Sequence, residues 1–341
     1  MENQGISVSA KSSSNIAIVK YWGKHGDQLP NNPSISFTLN NCFTYTYIRY
    51  DKENASGLKF FFDGRESPKF KDKIDKYLEQ HLDLFGFSAD VVKHLTVESS
   101  NSFPHSSGIA SSASSMSALV LCLLKLEKAL NHDMTPIDLR RASMLSRLAS
   151  GSAARSVYPV MALWGETHSL TGSSDEYAVP LADIVAPVFK TYHDTILIVS
   201  NKEKSVSSRA GHALMNGHPM AEQRYATARY NTGRLLGALK NGNLETFIDV
   251  AESEAIQLHE LMATSNPAYR LVEPNTLKIT DEIGRFRYKK KVPVCFTLDA
   301  GPNVHLLYPD EFKNEVAAFV DEKLKHYCFE NQYIDDFVNI F

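Results

Sequence analysis

Three hydroxyl-rich loops, a pair of lysines around two aromatics and one aspartate hold the residues that could do chemistry in this 341-residue chain. The first loop, Pro104-His-Ser-Ser-Gly-Ile-Ala-Ser-Ser-Ala-Ser114, is built of small residues and runs into a helical pattern. Free backbone N–H groups at a helix N-terminus, together with the helix dipole, attract an anion. Gly108 permits close backbone approach, and the hydroxyls of Ser111 and Ser112 can bond phosphate oxygens or a bound Mg²⁺. The same composition also suits a plain capped helix start. The second loop, Ser150-Gly-Ser-Ala-Ala-Arg155-Ser156, sets the planar fork of Arg155, suited to carboxylate or phosphate, beside small residues. Taken singly it reads as a turn with a surface arginine. Lys202-Glu-Lys-Ser-Val-Ser-Ser-Arg209 gathers hydroxyls and cations after a strand, and alone reads as a solvated loop. Lys20-Tyr-Trp-Gly-Lys24 either presents two amines or ends a strand with Trp22 in the core. Asp299 opens an Asp-Ala-Gly-Pro turn, where Asp commonly bonds its own backbone. Together these parts suit phosphoryl transfer, which asks a protein for positioning and charge stabilisation more than for covalent help.

Other classes are poorly served. Gly-x-x-x-x-Gly-Lys, Gly-x-Gly-x-x-Gly and Gly-x-Ser-x-Gly are all missing. His259-Glu260 lacks the second histidine of a zinc helix, and the four cysteines, Cys42, Cys122, Cys295 and Cys328, form no Cys-x-x-Cys pair. With 36 Lys and Arg against 39 Asp and Glu, the net charge of −3 offers no bulk attraction to nucleic acid or an anionic membrane. The longest apolar run, Ala118 to Leu124, is far short of the roughly 20 residues that span a bilayer. Met1 to Ser14 is polar and Ser-rich, without the apolar stretch of a secretion signal, so a cytoplasmic protein is expected.

The elements that must position these residues are those of a mixed chain. Hydrophobic content of 43% and a length near two typical domains predict a folded protein of two lobes joined between about 180 and 195. Phe43 to Tyr50 and Leu58 to Phe62 are rich in β-branched and aromatic residues and predict two strands of a hairpin. Lys69 to Leu84 has helical spacing, and Ala110 to Leu130, apolar all round, predicts a buried central helix. Thr195 to Val199 predicts a strand, followed by two helices, the stronger over Leu244 to Met262. Val292 to Leu298 and Val304 to Tyr308 predict strands around the Asp299 turn. The fold class is therefore α+β.

Five segments in order carry a resemblance. They are Asn15-Ile-Ala-Ile-Val-Lys-Tyr-Trp-Gly-Lys24, Pro33-Ser-Ile-Ser-Phe-Thr-Leu39, Gly108-Ile-Ala-Ser-Ser-Ala113, Ser150-Gly-Ser-Ala-Ala-Arg155 and Phe296-Thr-Leu-Asp-Ala-Gly-Pro-Asn303. From about residue 10 to 310 the chain resembles the diphosphomevalonate decarboxylase family of the GHMP kinase superfamily. The resemblance implies an N-terminal lobe like the second domain of ribosomal protein S5, over 1–188, and a ferredoxin-like C-terminal lobe, over 189–341. It implies an ATP- and Mg²⁺-dependent enzyme that phosphorylates the 3-hydroxyl of mevalonate 5-diphosphate. Loss of phosphate and carbon dioxide then gives isopentenyl diphosphate in isoprenoid biosynthesis.

Carried over by position, Asp299 would orient or deprotonate that hydroxyl, Arg155 would hold the substrate carboxylate and Asn15 would order the site. Ser150, Gly151, Ser152, Ala153 and Ala154 would line the substrate pocket. Tyr21, Lys24, Ser208 and Arg209 would grip the diphosphate, Trp22 and Gly23 would also be substrate-binding, and Lys71 is the expected lysine from the Lys69 to Lys76 helix. Pro104, Ser106, Ser107, Gly108, Ile109, Ala110, Ser111 and Ser112 would hold ATP, with Ser111 on the metal. A homodimer is implied as well. Ser106-Ser107, Pro159-Val160 and His212 depart from the family pattern, which has Ala-Ala, Gly-Gly and commonly Met. Two rival readings are a 3-kinase or decarboxylase of mevalonate or phosphomevalonate, and a non-catalytic nucleotide-binding homologue.

Overall fold

A long antiparallel pair of strands, β1 (Ile6–Val19) and β2 (Ser34–Tyr50), forms the spine of the N-terminal lobe. The computed structural model describes residues 5–103, 111–202 and 205–338. Six of the expected ATP-loop residues, Pro104, Ser106, Ser107, Gly108, Ile109 and Ala110, lie outside them. The register of the spine runs from Ile6↔Tyr50 to Val19↔Ile35, with shifts between Ser13 and Asn15 and between Ala17 and Val19. A bulge of this kind bends the strand and re-aims its side chains. The backbone N–H groups of Asn40, Asn41 and Cys42 at the first irregularity all donate to the Asp336 carboxylate at 2.8 Å, which brings the far end of the chain onto the spine.

The remaining strands of this sheet are β3 (Lys59–Phe62), β4 (Arg65–Glu66), β5 (Leu95–Asn101), β6 (Met161–Trp164) and β7 (Ala178–Pro180), completing seven strands. The expected hairpin of Phe43–Tyr50 with Leu58–Phe62 is not formed. β5 stands between them, antiparallel to β2 and parallel to β3. Leu95 and Val97 of β5 are each 1% exposed, so that strand takes the inner slot and the more open β3 is displaced outward.

Helix α1 (Pro68–His81) covers the edge, and α2 (Ser111–Leu130) lies across the spine. As its all-round apolar content predicts, α2 is buried along most of its length. Its serines make close approach tolerable: Ser114 Oγ meets Thr44 at 2.7 Å and Ser117 Oγ meets Ser12 at 2.5 Å, so no hydroxyl is orphaned there. Helix α3 (Leu139–Ala149) starts at an Asp138 cap and ends at Ser150, which leads into the short Gly151–Arg155 turn.

The C-terminal lobe holds β8 (His193–Leu197), β9 (Cys295–Leu298), β10 (Val304–Tyr308) and β11 (Tyr333–Phe337), ordered β9-β10-β8-β11 and antiparallel throughout. Helices α4 (Ser208–Ala213), α5 (Ala221–Asn241), α6 (Leu244–Thr264) and α7 (Pro274–Lys290) fill the first crossover, and α8 (Lys313–Phe319) opens the second. This is the ferredoxin-like β-α-β-β-α-β arrangement. The lobes share one core. Ile16, Ile18 and Phe37 from the spine pack with Ile196, Leu235, Phe247 and Leu307 from the other side.

Candidate active site

Strand alternation builds the first wall of a cavity of about 420 Å³ where the lobes meet. Asn15 and Ala17 face it, while Ile16 and Ile18 turn into the shared core. Beyond the second register shift the backbone of Lys20 is clamped by the C-terminal lobe. Its N–H donates to Glu254 Oε2 at 2.9 Å, and its carbonyl accepts from Arg224 at 2.9 Å. Glu254 and Arg224 form a fully buried pair at 2.7 Å, with Asn231 donating to the same carboxylate. Held in this way, the Lys20 ammonium reaches Asp299 Oδ1 at 3.2 Å. Burial lowers the pKa of Lys20, and the Asp299 charge opposes that fall.

Asp299 is the only carboxylate lining the cavity among the described residues. Arg155 faces the same end, 2% exposed. Its Nε donates to Ser36 Oγ at 3.0 Å and more weakly to Asn15 Oδ1, Nη1 to Ser34 Oγ at 2.6 Å, and Nη2 to Asn15 Oδ1 at 3.2 Å. Asn15 is held in turn through its Nδ2, which donates to Ser156 Oγ at 2.8 Å. A guanidinium has five N–H groups; three take these neutral partners, leaving two for a ligand. Burial pulls the Arg155 pKa down to about 10, with Asp299 opposing, and among the described residues no carboxylate is hydrogen-bonded to this buried cation.

Ser150, Gly151 and Ser152 line the cavity from the Gly151–Arg155 turn, whereas Ala153 and Ala154 are sealed in the core below. Gly151 is required by contact: a Cβ there would lie 2.7 Å from the Tyr21 hydroxyl and 3.0 Å from Trp164. Ser111 and Ser112, the first residues of α2, reach the same wall, with the Ser112 and Ser150 hydroxyls 3.4 Å apart.

The opposite end is cationic. Lys24, Lys73 and Arg209 line it, and none of the three has a carboxylate partner among the described residues. Lys24 Nζ donates only to Gln28 Oε1 at 2.7 Å. Burial, with Arg209 adding to it, lowers the pKa of Lys24. Burial and the charges of Arg209 and Lys24 bring Lys73 to about 8. Ser208 lies beside Arg209 on α4. Tyr21 and Trp22 both line the cavity, and Trp22 is also 4% exposed in a core cluster, so the two readings of that segment are both true of it. Gly23 does not line the cavity; its φ of +92° turns the chain toward Lys24.

Lys71 is not brought to the site. Its ammonium pairs with Asp75 at 2.6 Å on the outer flank of α1, and Lys73 takes the place expected of it. Sequence reasoning also passed over Gln28, Ser207 and Leu258, and gave Lys20 no task. Among the described residues no three or more His, Cys, Asp or Glu side chains gather as a metal nest. The donors that are present, serine hydroxyls and one carboxylate, suit Mg²⁺, which binds through few protein oxygens when a ligand brings phosphates.

A ferredoxin-like lobe closing on a β-spine lobe, with a helix start and a cation cluster in the cleft, defines an enzyme of the GHMP kinase type. A model of the diphosphomevalonate decarboxylase-like N-terminal domain matches residues 12–178, and one of the mevalonate 5-diphosphate decarboxylase C-terminal domain matches 195–339. The chain belongs to the diphosphomevalonate decarboxylase family. It is 27% identical to a diphosphomevalonate decarboxylase of Debaryomyces hansenii, over 92% of this chain and 82% of that one. It superposes on the mevalonate diphosphate decarboxylase of Staphylococcus aureus with a TM-score of 0.83 at 26% identity, covering 99% and 97% of the two chains. A structure of MDDEF in complex with MVAPP, AMPPCP and magnesium matches with a TM-score of 0.82 at 26% identity, covering 98% and 97%.

Proposed function

We propose that this cavity converts mevalonate 5-diphosphate to isopentenyl diphosphate, consuming ATP and releasing ADP, phosphate and carbon dioxide. The observation that carries the reading is the division of the cavity. Among the described residues a single carboxylate, Asp299, sits beside Lys20 and Arg155 at one end, and three cations without carboxylate partners stand at the other. Such a cavity fits an elongated anion with a carboxylate and hydroxyl at one tip and a diphosphate at the other.

In this pose Arg155 spends its two free N–H groups on the substrate carboxylate, and Lys24, Lys73 and Arg209 neutralise the diphosphate. Asp299 accepts the proton of the 3-hydroxyl, whose own acidity is too low for attack at neutral pH. The oxygen bonds to the terminal phosphorus of ATP as the bond to ADP breaks. Phosphate then leaves with the C–O electrons, and the electrons of the bond to the carboxylate form the double bond as carbon dioxide departs. Asp299 returns its proton to the departing phosphate, and its restored charge then faces the positive charge that builds at the tertiary carbon. Arg155 is anchored to neutral partners through three N–H groups and holds the carboxylate by charge through the two free ones, so its grip is lost once the carboxyl becomes neutral carbon dioxide.

Ser111 and Ser112 would contact the ATP phosphates and Mg²⁺, with Ser150 beside them. When bound, Mg²⁺ supplies neutralisation of the charge between nucleotide and substrate. The reading includes a division of the chain at 188/189 and a cytoplasmic homodimer in isoprenoid biosynthesis. In its support, no helix of the described residues is long and apolar enough to cross a membrane. The test is a coupled assay with ATP and Mg²⁺ that offers mevalonate, its 5-phosphate and its 5-diphosphate separately. Matched ADP and carbon dioxide release with the diphosphate alone supports the reading. ADP without carbon dioxide, or a preference for a less phosphorylated substrate, makes the enzyme a 3-kinase or a decarboxylase of another substrate.

A further inference from the structure

His212 is a cavity residue whose proton position the fold dictates and to which the reaction above assigns no task. It lies on α4, 8% exposed, with its ring 4.3 Å from that of Tyr21 and 4.6 Å from that of Trp22. The preceding Gly211 presses this helix onto the indole, since a Cβ there would meet Trp22 at 2.5 Å, and the imidazole has little room to swing. Its Nδ1 accepts the backbone N–H of Gly23 at 3.0 Å. A ring nitrogen that accepts carries no proton, so the proton of the neutral ring sits on Nε2.

That Nε2–H meets no acceptor among the described residues. It is also not one of the polar atoms sealed away without a partner, and since His212 lines the cavity, the N–H opens into it. Burial first, then the charges of Lys24 and Arg155, brings the imidazole pKa down to about 3. The group is therefore a neutral donor at any ordinary working pH. The bond to Gly23 sets the ring next to Lys24, and its contact with Tyr21, itself against the Trp164 that Arg155 faces, sets it toward Arg155, so the ring lies between the two ends.

We propose that His212 is a further substrate-binding residue, its Nε2–H donating to an oxygen of the phosphoryl group nearest the substrate's carbon chain. The proposal rests on the substrate reading above. A directed neutral donor at this point holds the middle of the anion without adding to the mutual repulsion of Lys24, Lys73 and Arg209. A hydrogen bond to a charged acceptor is among the stronger ones, so its loss is measurable.

Two substitutions separate the functions of the ring's two nitrogens. His212→Asn offers an amide oxygen near the Nδ1 position and keeps the Gly23 contact, but removes the inner donor. His212→Gln carries an amide nitrogen near the Nε2 position and restores that donor. The expected result is a rise of at least tenfold in KM for mevalonate 5-diphosphate in His212→Asn, with kcat within threefold. In His212→Gln the KM stays within threefold of the parent. Calorimetry with inorganic diphosphate should show the same order. In the unaltered protein, titration with inorganic diphosphate should move the His212 Nε2–H resonance downfield. The reverse ranking of the variants makes His212 a clamp for Gly23 only and overturns the proposal, as does a resonance that ignores diphosphate. Weakened diphosphate binding in His212→Asn, from a parent that turns over none of the three substrates, would remove the decarboxylase reading and leave the role of His212 standing.

Discussion

The two ends of the cavity handle charge in opposite ways. At the Asp299 end the charges are buried and pre-arranged. Lys20 is 2% exposed and paired with Asp299, and Arg155 is 2% exposed inside a frame of Asn15, Ser34 and Ser36. At the Lys24 end three cations stand together with no carboxylate among them in the described residues, and burial first, then their mutual repulsion, lowers the pKa of Lys24 and Lys73. The first end is preorganised, which is what charge development in a transition state requires. The second is a destabilised arrangement that an anion relieves, which is what binding requires. Chemistry and affinity are thus assigned to different walls, and changes at each wall should move different kinetic constants.

The largest effect is expected from Asp299→Asn, which keeps the shape but cannot take a proton. General-base losses run to about 10²- to 10⁴-fold; kcat should fall by that order while KM stays within a few-fold. Steady-state assays with mevalonate 5-diphosphate decide it, and turnover within tenfold of the parent would move the base elsewhere. Next comes the support beneath Lys20. Arg224→Met leaves Glu254 charged and unpaired in a fully buried place, and breaking such a pair costs about 3–5 kcal/mol. Thermal melting should show that loss, and kcat should fall with it because the Lys20 backbone loses its clamp. A variant of unchanged stability would detach the Asp299 end from the C-terminal helices.

The two ends were not equally legible in the sequence. Hydroxyl-rich loops, Arg155 and Asp299 stand in short local patterns, and most of the described residues expected at the wall, from Asn15 to Asp299, gather there, whereas Gly23, Lys71, Ala153 and Ala154 do not. The apolar α2 announced its own burial. Other elements hid for physical reasons. The start of β1 is rich in serine and resembles a loop, yet Ser12, Ser13 and Ser14 are buried in the spine. Lys20 follows an apolar strand, and only the register shift between Ala17 and Val19, a property of strand pairing, turns it to Asp299. Helix α7 carried a capping box from Glu273 to Thr276 with proline at its start, a signal that was present and passed over. Lys71 and Lys73 sit two residues apart, about 200° around a helix. They flank the buried stripe of Ile74, Tyr77 and Leu78 on opposite sides, and only the docking of α1 decides which flank meets the cavity.

That last pair gives the sharpest test of the cationic end. Lys73→Met should raise KM for the diphosphate substrate roughly tenfold with kcat nearly unchanged, the cost of one hydrogen bond to a charged group. Lys71→Met should change KM by less than about twofold, because Lys71 does not line the cavity and a half-exposed i,i+4 pair such as Lys71–Asp75 contributes little. The same site predicts a pH dependence with a definite sign. Lys73 binds an anion only in its protonated form, and in the free cavity it loses that proton near pH 8. KM in the parent should therefore rise as pH climbs from about 7 to 9, and this component should disappear in Lys73→Met and persist in Lys71→Met. Arg155 at the other wall, with its pKa near 10, keeps its proton through this interval, so kcat should not share the trend. Should KM stay flat in the parent, or the trend survive in Lys73→Met, then Lys73 is not the group that meets the diphosphate, and the contrast between the two walls loses its cationic side.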